Sequence, residues 1–189
     1  DLSGAELQLV DVKGRERRLR KALRKYLKNH DVDYVILDCP PSLGLLTLNA
    51  LVAADEVLVP IQCEYYALEG VTQLMRTIEA VRHAMNKELR LGSILMTMFD
   101  GRTRLSTQVD EEVRTHFARE TMSTRIPRSV RVSEAPSYSR SVLTYEPTSA
   151  GAVAYREAAA EFAKRHACDE HSTNTSGVKH PDASDTKKG

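Results

Sequence analysis

The chain has 189 residues, of which 41% are hydrophobic, and its 27 Lys and Arg residues nearly balance its 26 Asp and Glu residues. This length suffices for a substantial core in one domain with or without a tail, and the composition is typical of a globular protein. A net charge of +1 excludes a strongly basic nucleic-acid binder, so any basic surface must be local. No apolar run approaches the about 20 residues that span a bilayer, and the first residues lack the pattern of a signal peptide.

The first predicted element is an amphipathic helix over residues 15–29. Its apolar positions recur with spacings of three and four residues: Leu19, Ala22, Leu23, Tyr26 and Leu27. Residues 33–38 then predict a short strand with a continuous apolar centre, which indicates burial on both faces. Pro40 and Pro41 end it, because proline cannot donate to a β-ladder.

The alternation of helix and strand continues to residue 166. Strands are predicted over residues 56–61, 91–99 and 122–126, and helices over residues 45–54, 68–85, 106–119 and 149–166. The last helix is predicted to bury Val153, Tyr155, Ala159 and Phe162, after an irregular stretch over residues 128–147. Alternation of this kind predicts an α/β fold with a mostly parallel sheet and helices on both faces.

Residues 167–189 differ in composition from the rest. They are rich in Ser, Thr, Asp, Lys and His, with too few apolar side chains to offset the entropy of ordering. We therefore expect one domain over residues 1–166 and a disordered polar tail over residues 167–189. The three cysteines form no CxxC pair, which favours reduced thiols in a cytoplasm over a disulfide framework.

Ligands of parallel α/β folds bind beyond the carboxyl ends of the strands, and three such ends carry polar residues. The first is Asp38, at the end of the predicted strand 33–38, where a carboxylate can hold Mg²⁺ through its water shell. A turn-favouring Asp is the alternative reading of that residue alone. The second end contains Gln62 and Glu64, whose roles stay open, followed by Tyr65 and Tyr66, and we interpret the two tyrosines as packing residues. The third end comprises residues 98–103 and 126–137.

Four blocks of sequence together carry a family resemblance. Residues 34–51 (YVILDCPPSLGLLTLNAL) are similar to the switch II region of ParA/Soj partition ATPases, and residues 59–70, 98–103 and 126–137 match further blocks of that family in order and spacing. The resemblance implies a P-loop NTPase-like fold that binds ATP and Mg²⁺. It implies that Asp38 is the Walker B aspartate, and that Met98, Pro127, Arg128 and Ser129 lie on the adenine and ribose side. Ser129 replaces the usual Asn of the family.

The same resemblance implies that Arg102 and Arg131 bind DNA without sequence selectivity, after ATP-dependent formation of a homodimer. It also implies a ParB/Spo0J-type centromere-binding partner, a cytoplasmic, nucleoid-associated location and no membrane attachment. Eight basic residues and a single acid stand between Arg15 and Lys28. They either extend a DNA-facing patch or form an ordinary solvated helix face.

The phosphate-binding loop of this fold is not found in the sequence. None of the nine glycines is followed by Lys and then Ser or Thr, as the pattern GxxxxGK[ST] requires. We therefore expect that the N-terminal P-loop unit is missing, that the chain is the C-terminal two-thirds of a ParA/Soj-type protein, and that it neither binds ATP tightly nor hydrolyses it by itself.

Three alternatives stay open at this point. A MinD-like membrane-cycling regulator of cell division would share the fold, but residues 167–189 offer no apolar helix face for a membrane. An iron protein of the nitrogenase type would need cluster cysteines in its own sequence context. An inactive truncated product is the third alternative.

Overall fold

A computed structural model describes residue 4 and residues 8–9, 11–40 and 42–173, with residues 168–173 described by their backbone alone. Its helices are α1 (Arg18–Leu27, after a 3-10 turn at Arg15–Arg17), α2 (Leu45–Ala53), α3 (Ala67–Ala84), α4 (Arg104–His116), α5 (Val130–Glu134), α6 (Val142–Tyr145) and α7 (Ala150–Thr173). The strands are β1 (Glu56–Gln62), β2 (Arg90–Phe99) and β3 (Thr121–Pro127), and a second 3-10 turn covers Ala135–Tyr138.

The three strands form one parallel sheet in the order β1-β2-β3. Glu56 is in register with Arg90 at one end of the sheet, and Phe99 with Pro127 at the other. A helix follows each strand, so each return connection crosses a face of the sheet, as parallel pairing requires. The predictions of an α/β fold, of a parallel sheet and of these three strands are confirmed.

Alternating side chains of the strands point to two separate cores. On one face, Ile94 and Met96 of β2 pack with Val71 of α3 and with Val109 and Val113 of α4. On the other face, strand residues pack against α7 in a cluster formed by Leu95, Met122, Ile126, Ala154 and Ala158. Helices therefore cover both faces of the sheet, as the sequence predicts.

The predicted strand over residues 33–38 is wrong. In the described part of the chain this segment pairs with no neighbouring strand, and the side chain of Ile36 is 88% exposed. Tyr34 lies instead beside Phe162 and His166 of α7, with ring centroids 5.9 and 6.1 Å away. An apolar run becomes a buried strand only where neighbouring strands satisfy its backbone groups, so apolarity alone overestimates it here.

The predicted buried side of the last helix is also wrong in most of its members. Val153, Tyr155 and Ala159 are exposed, whereas Ala152, Ala154 and Ala158 are buried, and Phe162 packs at the edge of the core as predicted. Small side chains let α7 lie close to β3, and the sequence prediction placed the larger apolar residues inward instead.

The C-terminal part of α7 is held by the start of β3. Near its C-terminal end, the Arg165 guanidinium donates hydrogen bonds to the carbonyls of Arg119, Glu120 and Thr121 at the start of β3.

The predicted tail begins within α7. The helix continues to Thr173, past the predicted start of the tail at residue 167. The rest of that predicted tail, residues 174–189, lies outside the described residues. The irregular stretch over residues 128–147 contains α5, the second 3-10 turn and α6.

Helix α1 packs loosely against α2. Leu19 and Leu23 are half-buried, and the backbone N–H of Leu19 donates to Oδ1 of Asn49 in α2 at 3.2 Å. Ala22, Tyr26 and Leu27 belong to the predicted apolar face but are exposed, and Tyr26 stacks on His30 with ring centroids 3.8 Å apart. Only part of the predicted apolar face of this helix is therefore covered.

Candidate functional site

The carboxyl ends of the three strands meet at one edge of the sheet. The backbone N–H of Arg128 donates to the carbonyl of Phe99 at 3.0 Å, which joins the ends of β3 and β2. The Arg128 guanidinium reaches towards β1, with its Nη2 3.7 Å from Oε1 of Glu64. Glu64, which the sequence left without an assigned role, is thus a partner of the predicted nucleotide-side residue Arg128.

Met98 adopts a left-handed backbone conformation, with φ of 52°, just before the end of β2. A non-glycine residue in this region costs on the order of 1 kcal/mol or more and is held there by its surroundings. Met98 and Pro127 flank Phe99, with which Pro127 is in register. Met98, Pro127 and Arg128 therefore lie together around the ends of β2 and β3, and their role towards a nucleotide stays a prediction.

Ser129 and the start of α5 rest against α7. Ser129 has extended backbone angles and precedes α5, and Gly151 of α7 lies directly opposite. A Cβ atom at Gly151 would come within 2.5 Å of Cγ2 of Val132 and 3.4 Å of Oγ of Ser129. Only glycine allows this approach without displacing a neighbour, so α7 positions the loop that carries Ser129.

Arg102 lies in the turn after β2 and is bound by Asp100. Its Nε and Nη2 donate to the two carboxylate oxygens of Asp100 at 2.9 and 2.8 Å, and its backbone N–H donates to Oδ1 at 3.1 Å. These hydrogen bonds lower the pKa of Asp100 to about 2. The Arg102 side chain is 90% exposed all the same, so an anion in solvent can reach it in competition with Asp100.

Arg131 forms a similar local pair. Its Nη1 lies 3.0 Å from Oε2 of Glu134, one helical turn along α5, and the hydrogen bond to Glu134 raises the pKa of Arg131. The arginine side chain is 55% exposed. Both predicted DNA-binding arginines therefore lie at the surface, each beside a carboxylate.

A buried ion cluster lies beneath this edge and was missed by the sequence analysis. Asp110 of α4 is 3% exposed and accepts from Nε and Nη2 of Arg125 at 3.0 and 2.6 Å and from Nε of Arg114 at 3.0 Å. Burial opposes ionisation of Asp110, but the two arginines outweigh it and lower its pKa. The guanidinium of Arg125 also lies over the ring of Phe99, 5.3 Å from its centroid.

The same cluster affects the thiol beside it. Burial and the charge of Asp110 raise the pKa of Cys63 to about 11, so this thiol is protonated at neutral pH and is a poor nucleophile. Of the cluster, the Asp110–Arg114 pair could have been read from its spacing of four residues on a helix. Arg125 comes from another element, and no local pattern indicates it.

Asp38 ends the segment over residues 33–38, which pairs with no strand in the described part of the chain. Its side chain is exposed, and in the described residues no cation or hydrogen-bond donor is bound to it. The neighbouring Cys39 is exposed too. The partial burial of its thiol and, to a smaller extent, the charge of Asp38 raise the pKa of that thiol. The part of the chain that is described contains no group of three or more His, Cys, Asp or Glu residues that could hold a metal ion.

The interpretation of Tyr65 and Tyr66 as packing residues is wrong. They are 79% and 73% exposed, and their rings meet edge to face at 5.3 Å. They stand on the wall of an open groove of about 490 Å³ between the end of β1 and the start of α3, which Pro60 and Gly70 also line.

Among the described helices, none has the length and apolarity that a membrane crossing requires.

The parallel sheet, the helices on both of its faces and the polar residues at its carboxyl edge define an α/β protein whose candidate site lies beyond the carboxyl ends of the strands. A family model described as an AAA domain matches residues 1–91. The chain is 50% identical over 165 residues to the chromosome partitioning protein ParA of Myxococcus xanthus, a match that covers 87% of this chain and 58% of that protein.

It is also 50% identical over 162 residues to the sporulation initiation inhibitor protein Soj of Bacillus subtilis, covering 86% of this chain and 63% of that protein. Over this shared region the chain belongs to the ParA/Soj family. It spans 58% to 63% of the length of these two relatives.

Two solved structures show where the fold recurs. A cobyrinic acid a,c-diamide synthase from Mycobacterium smegmatis, with bound ADP and magnesium, matches with a TM-score of 0.65 and 42% identity over 83% of this chain and 56% of that one. The cell division ATPase MinD of Pyrococcus furiosus matches with a TM-score of 0.62, over 79% of this chain and 58% of that one. At 22% identity, the second match shows the fold alone.

Proposed function

We propose that the chain is the larger part of a ParA/Soj-type DNA partition ATPase, which segregates a chromosome or a plasmid. The observation that carries the proposal is the 50% identity to the two partition-family relatives over nearly the whole described domain. In this proposal ATP joins two subunits into a homodimer, the dimer binds DNA without base selectivity, and a ParB/Spo0J-type partner stimulates hydrolysis. The protein would then be cytoplasmic and associated with the nucleoid.

The candidate site residues suit a nucleotide and magnesium. Asp38 is an exposed carboxylate without an ion-pair partner in the described part of the chain, and a carboxylate of this kind suits a hydrated Mg²⁺. Met98, Pro127, Arg128 and Ser129 would hold the adenine and ribose side. When bound, Mg²⁺ would neutralise charge on the phosphates.

Arg102 and Arg131 would supply the DNA contacts. Both are exposed guanidinium groups, and cations of this kind bind phosphate oxygens without reading bases. Each must exchange a carboxylate partner for a phosphate, because Asp100 and Glu134 bind them in the structure. This exchange replaces one charge-assisted hydrogen bond by another of the same kind.

A chimaera tests the proposal. The part of the Bacillus subtilis Soj protein that the match leaves out is joined ahead of Asp1, and ATP hydrolysis and DNA binding are measured with and without ATP. We expect ATP-dependent binding to duplexes of unrelated sequence, and hydrolysis that an Asp38→Asn substitution lowers by at least about 100-fold, because the magnesium contact is lost.

The double variant Arg102→Ala/Arg131→Ala separates DNA binding from nucleotide use. We expect it to hydrolyse ATP but to lose ATP-dependent DNA binding, whereas the control Arg76→Ala/Lys164→Ala, at exposed positions of α3 and α7, keeps both activities. Unchanged DNA binding by the double variant, with the same salt dependence, would refute the DNA contacts. If the chimaera floats with anionic liposomes and does not bind DNA, a MinD-like protein would be favoured.

A further inference from the structure

A line of cations runs along one face of α1 and includes the residue on either side of the helix. Arg17, Lys21, Arg24 and Lys28 follow one another at spacings of four, three and four residues, so they lie in a single row along the helix. All four are exposed. We call these four residues the basic stripe. With a rise of about 1.5 Å per residue, the row is about 16 Å long.

The cations of the stripe have no acidic partner among the described residues. In the described part of the chain, none of the four forms an ion pair. Arg102 and Arg131 differ in this respect, because Asp100 and Glu134 bind them at 2.8 and 3.0 Å. An anion that approaches the stripe therefore displaces only water and counterions.

A groove continues the positive surface beside the stripe. Arg17 and Arg20 line one side of a cavity of about 360 Å³, and His83, at the end of α3, and Lys87, three residues beyond that helix, line the other. Glu88 is the one acidic residue of this lining. Cations from two elements thus converge on a space large enough for a phosphate group.

The surroundings of α1 favour a nucleic acid over a membrane or a protein. Leu19 and Leu23, on the opposite side of the helix, are half-buried towards α2, and the N–H of Leu19 is bonded to Asn49, so this part of the apolar face is not free to insert into lipid, while Tyr26 and Leu27 remain exposed. The stripe itself contains no aromatic or aliphatic residue, which a protein interface needs at its centre.

We propose that the basic stripe binds the phosphate backbone of duplex DNA without base selectivity, as a contact separate from Arg102 and Arg131. The inference rests on the proposed function, since it adds a second surface for the same ligand. About 16 Å of duplex carries about ten phosphate charges, enough to face all four cations at once. Unlike Arg102 and Arg131, the cations of the stripe need not exchange a carboxylate partner for a phosphate, so far as the described residues show.

The test uses the 189-residue chain without nucleotide and two unrelated duplexes of about 25 base pairs. Fluorescence anisotropy at salt concentrations from about 50 to 200 mM gives the slope of log affinity against log salt. For Lys21→Gln/Arg24→Gln we expect the magnitude of the slope to fall by about two for both duplexes, and the affinity at low salt to fall on the order of tenfold.

The control is Arg76→Gln/Lys164→Gln, which removes the same charge from exposed positions of α3 and α7 and should leave the slope unchanged. Circular dichroism checks that each variant keeps its helix content. Arg17→Gln/Lys28→Gln, at the two ends of the row, is a second test with the same expected loss.

Four outcomes overturn the inference. Two concern the variants: the slope is unchanged in both stripe variants, or the control variant shows an equal loss. Two concern the unmodified chain: it does not bind DNA at low salt, or it binds phosphatidylserine vesicles or poly-glutamate in preference to DNA. A fifth outcome, in which Arg102→Ala/Arg131→Ala loses DNA binding and the stripe variants keep it, overturns the inference and leaves the proposed function standing. If instead the chimaera fails to hydrolyse ATP while a stripe variant shows a reduced slope, the proposed function is overturned and the inference on the stripe stands.

Discussion

Glu161 of α7 is bound by four hydrogen-bond donors. Its carboxylate accepts from the backbone N–H groups of Ser123 and Thr124 at 2.7 and 2.9 Å, from the Thr124 hydroxyl at 2.8 Å, and from Nη2 of Arg165 at 2.9 Å. Burial works against ionisation, but these donors outweigh it and lower the pKa of Glu161 to about 2. The ionised side chain thereby fastens α7 to β3.

Since the folded-state pKa lies below the ordinary value of 4.5, Glu161 stabilises the fold above about pH 4.5, and the stabilisation is lost as the pH falls towards 2. We expect Glu161→Gln to lower the free energy of unfolding by about 2 kcal/mol at pH 7. Urea denaturation from pH 3 to pH 7 should show a smaller loss of stability on acidification in the variant, and equal slopes for both proteins would contradict the assignment.

Single residues at the sheet edge were predicted from sequence with mixed success. Pro127 and Arg128 lie at the end of β3 as predicted, because a strand followed by proline fixes the end of the ladder. Their partners could not be predicted, since the contact between Arg128 and Glu64 depends on the strand order β1-β2-β3. The position of Asp38 relative to the nucleotide-side residues likewise stays a prediction.

At the scale of whole elements, hydrophobic periodicity predicted the strands of the sheet and the long helix α3 well. Val71, Ile78 and Val81 are buried at the expected helical spacing. The same reasoning failed for α7, because a helix rich in alanine has no large apolar stripe to mark its inner face. Proximity to β3 decides that Ala154 and Ala158 point inward.

A pair of neighbouring substitutions tests this orientation of α7. Ala158→Leu adds volume to a position that is 5% exposed, beside Met122 and Ile126, and should cost about 1–3 kcal/mol. Ala159→Leu changes an exposed position and should stay within about 0.5 kcal/mol of the unmodified protein. Urea midpoints measure both, and a larger loss at position 159 would restore the orientation predicted from the sequence.

For the molecule as a whole, apolar surface is gathered on the segment that was predicted to be a strand. Tyr34, Val35 and Ile36 are 50%, 43% and 88% exposed. Neighbouring exposed apolar side chains of this kind are a site of association. The fold class was predictable because it depends on the alternation of helix and strand, whereas the burial of this segment depends on which other parts of the protein cover it.

We expect the 189-residue chain to self-associate through this segment as its concentration rises. Ile36→Lys places a charge at its most exposed position and should shift sedimentation velocity profiles towards the monomer, since a buried lysine in the contact is costly. Leu105→Lys, at a 43% exposed position of α4, is the control and should leave the profile unchanged. Identical profiles for the unmodified chain and Ile36→Lys would contradict the prediction.

Helix α7 touches both ends of the sheet. Gly151, near its start, lies against Val132 beyond the carboxyl end of β3, and His166, about 23 Å further along the axis, is hydrogen-bonded to Glu56 at the start of β1. A helix resists bending over such a length, so it behaves as a lever arm between these two points. We expect a shift of the loop that carries Ser129 to tilt this helix and so to displace the hydrogen bond between His166 and Glu56 at the opposite end of the sheet.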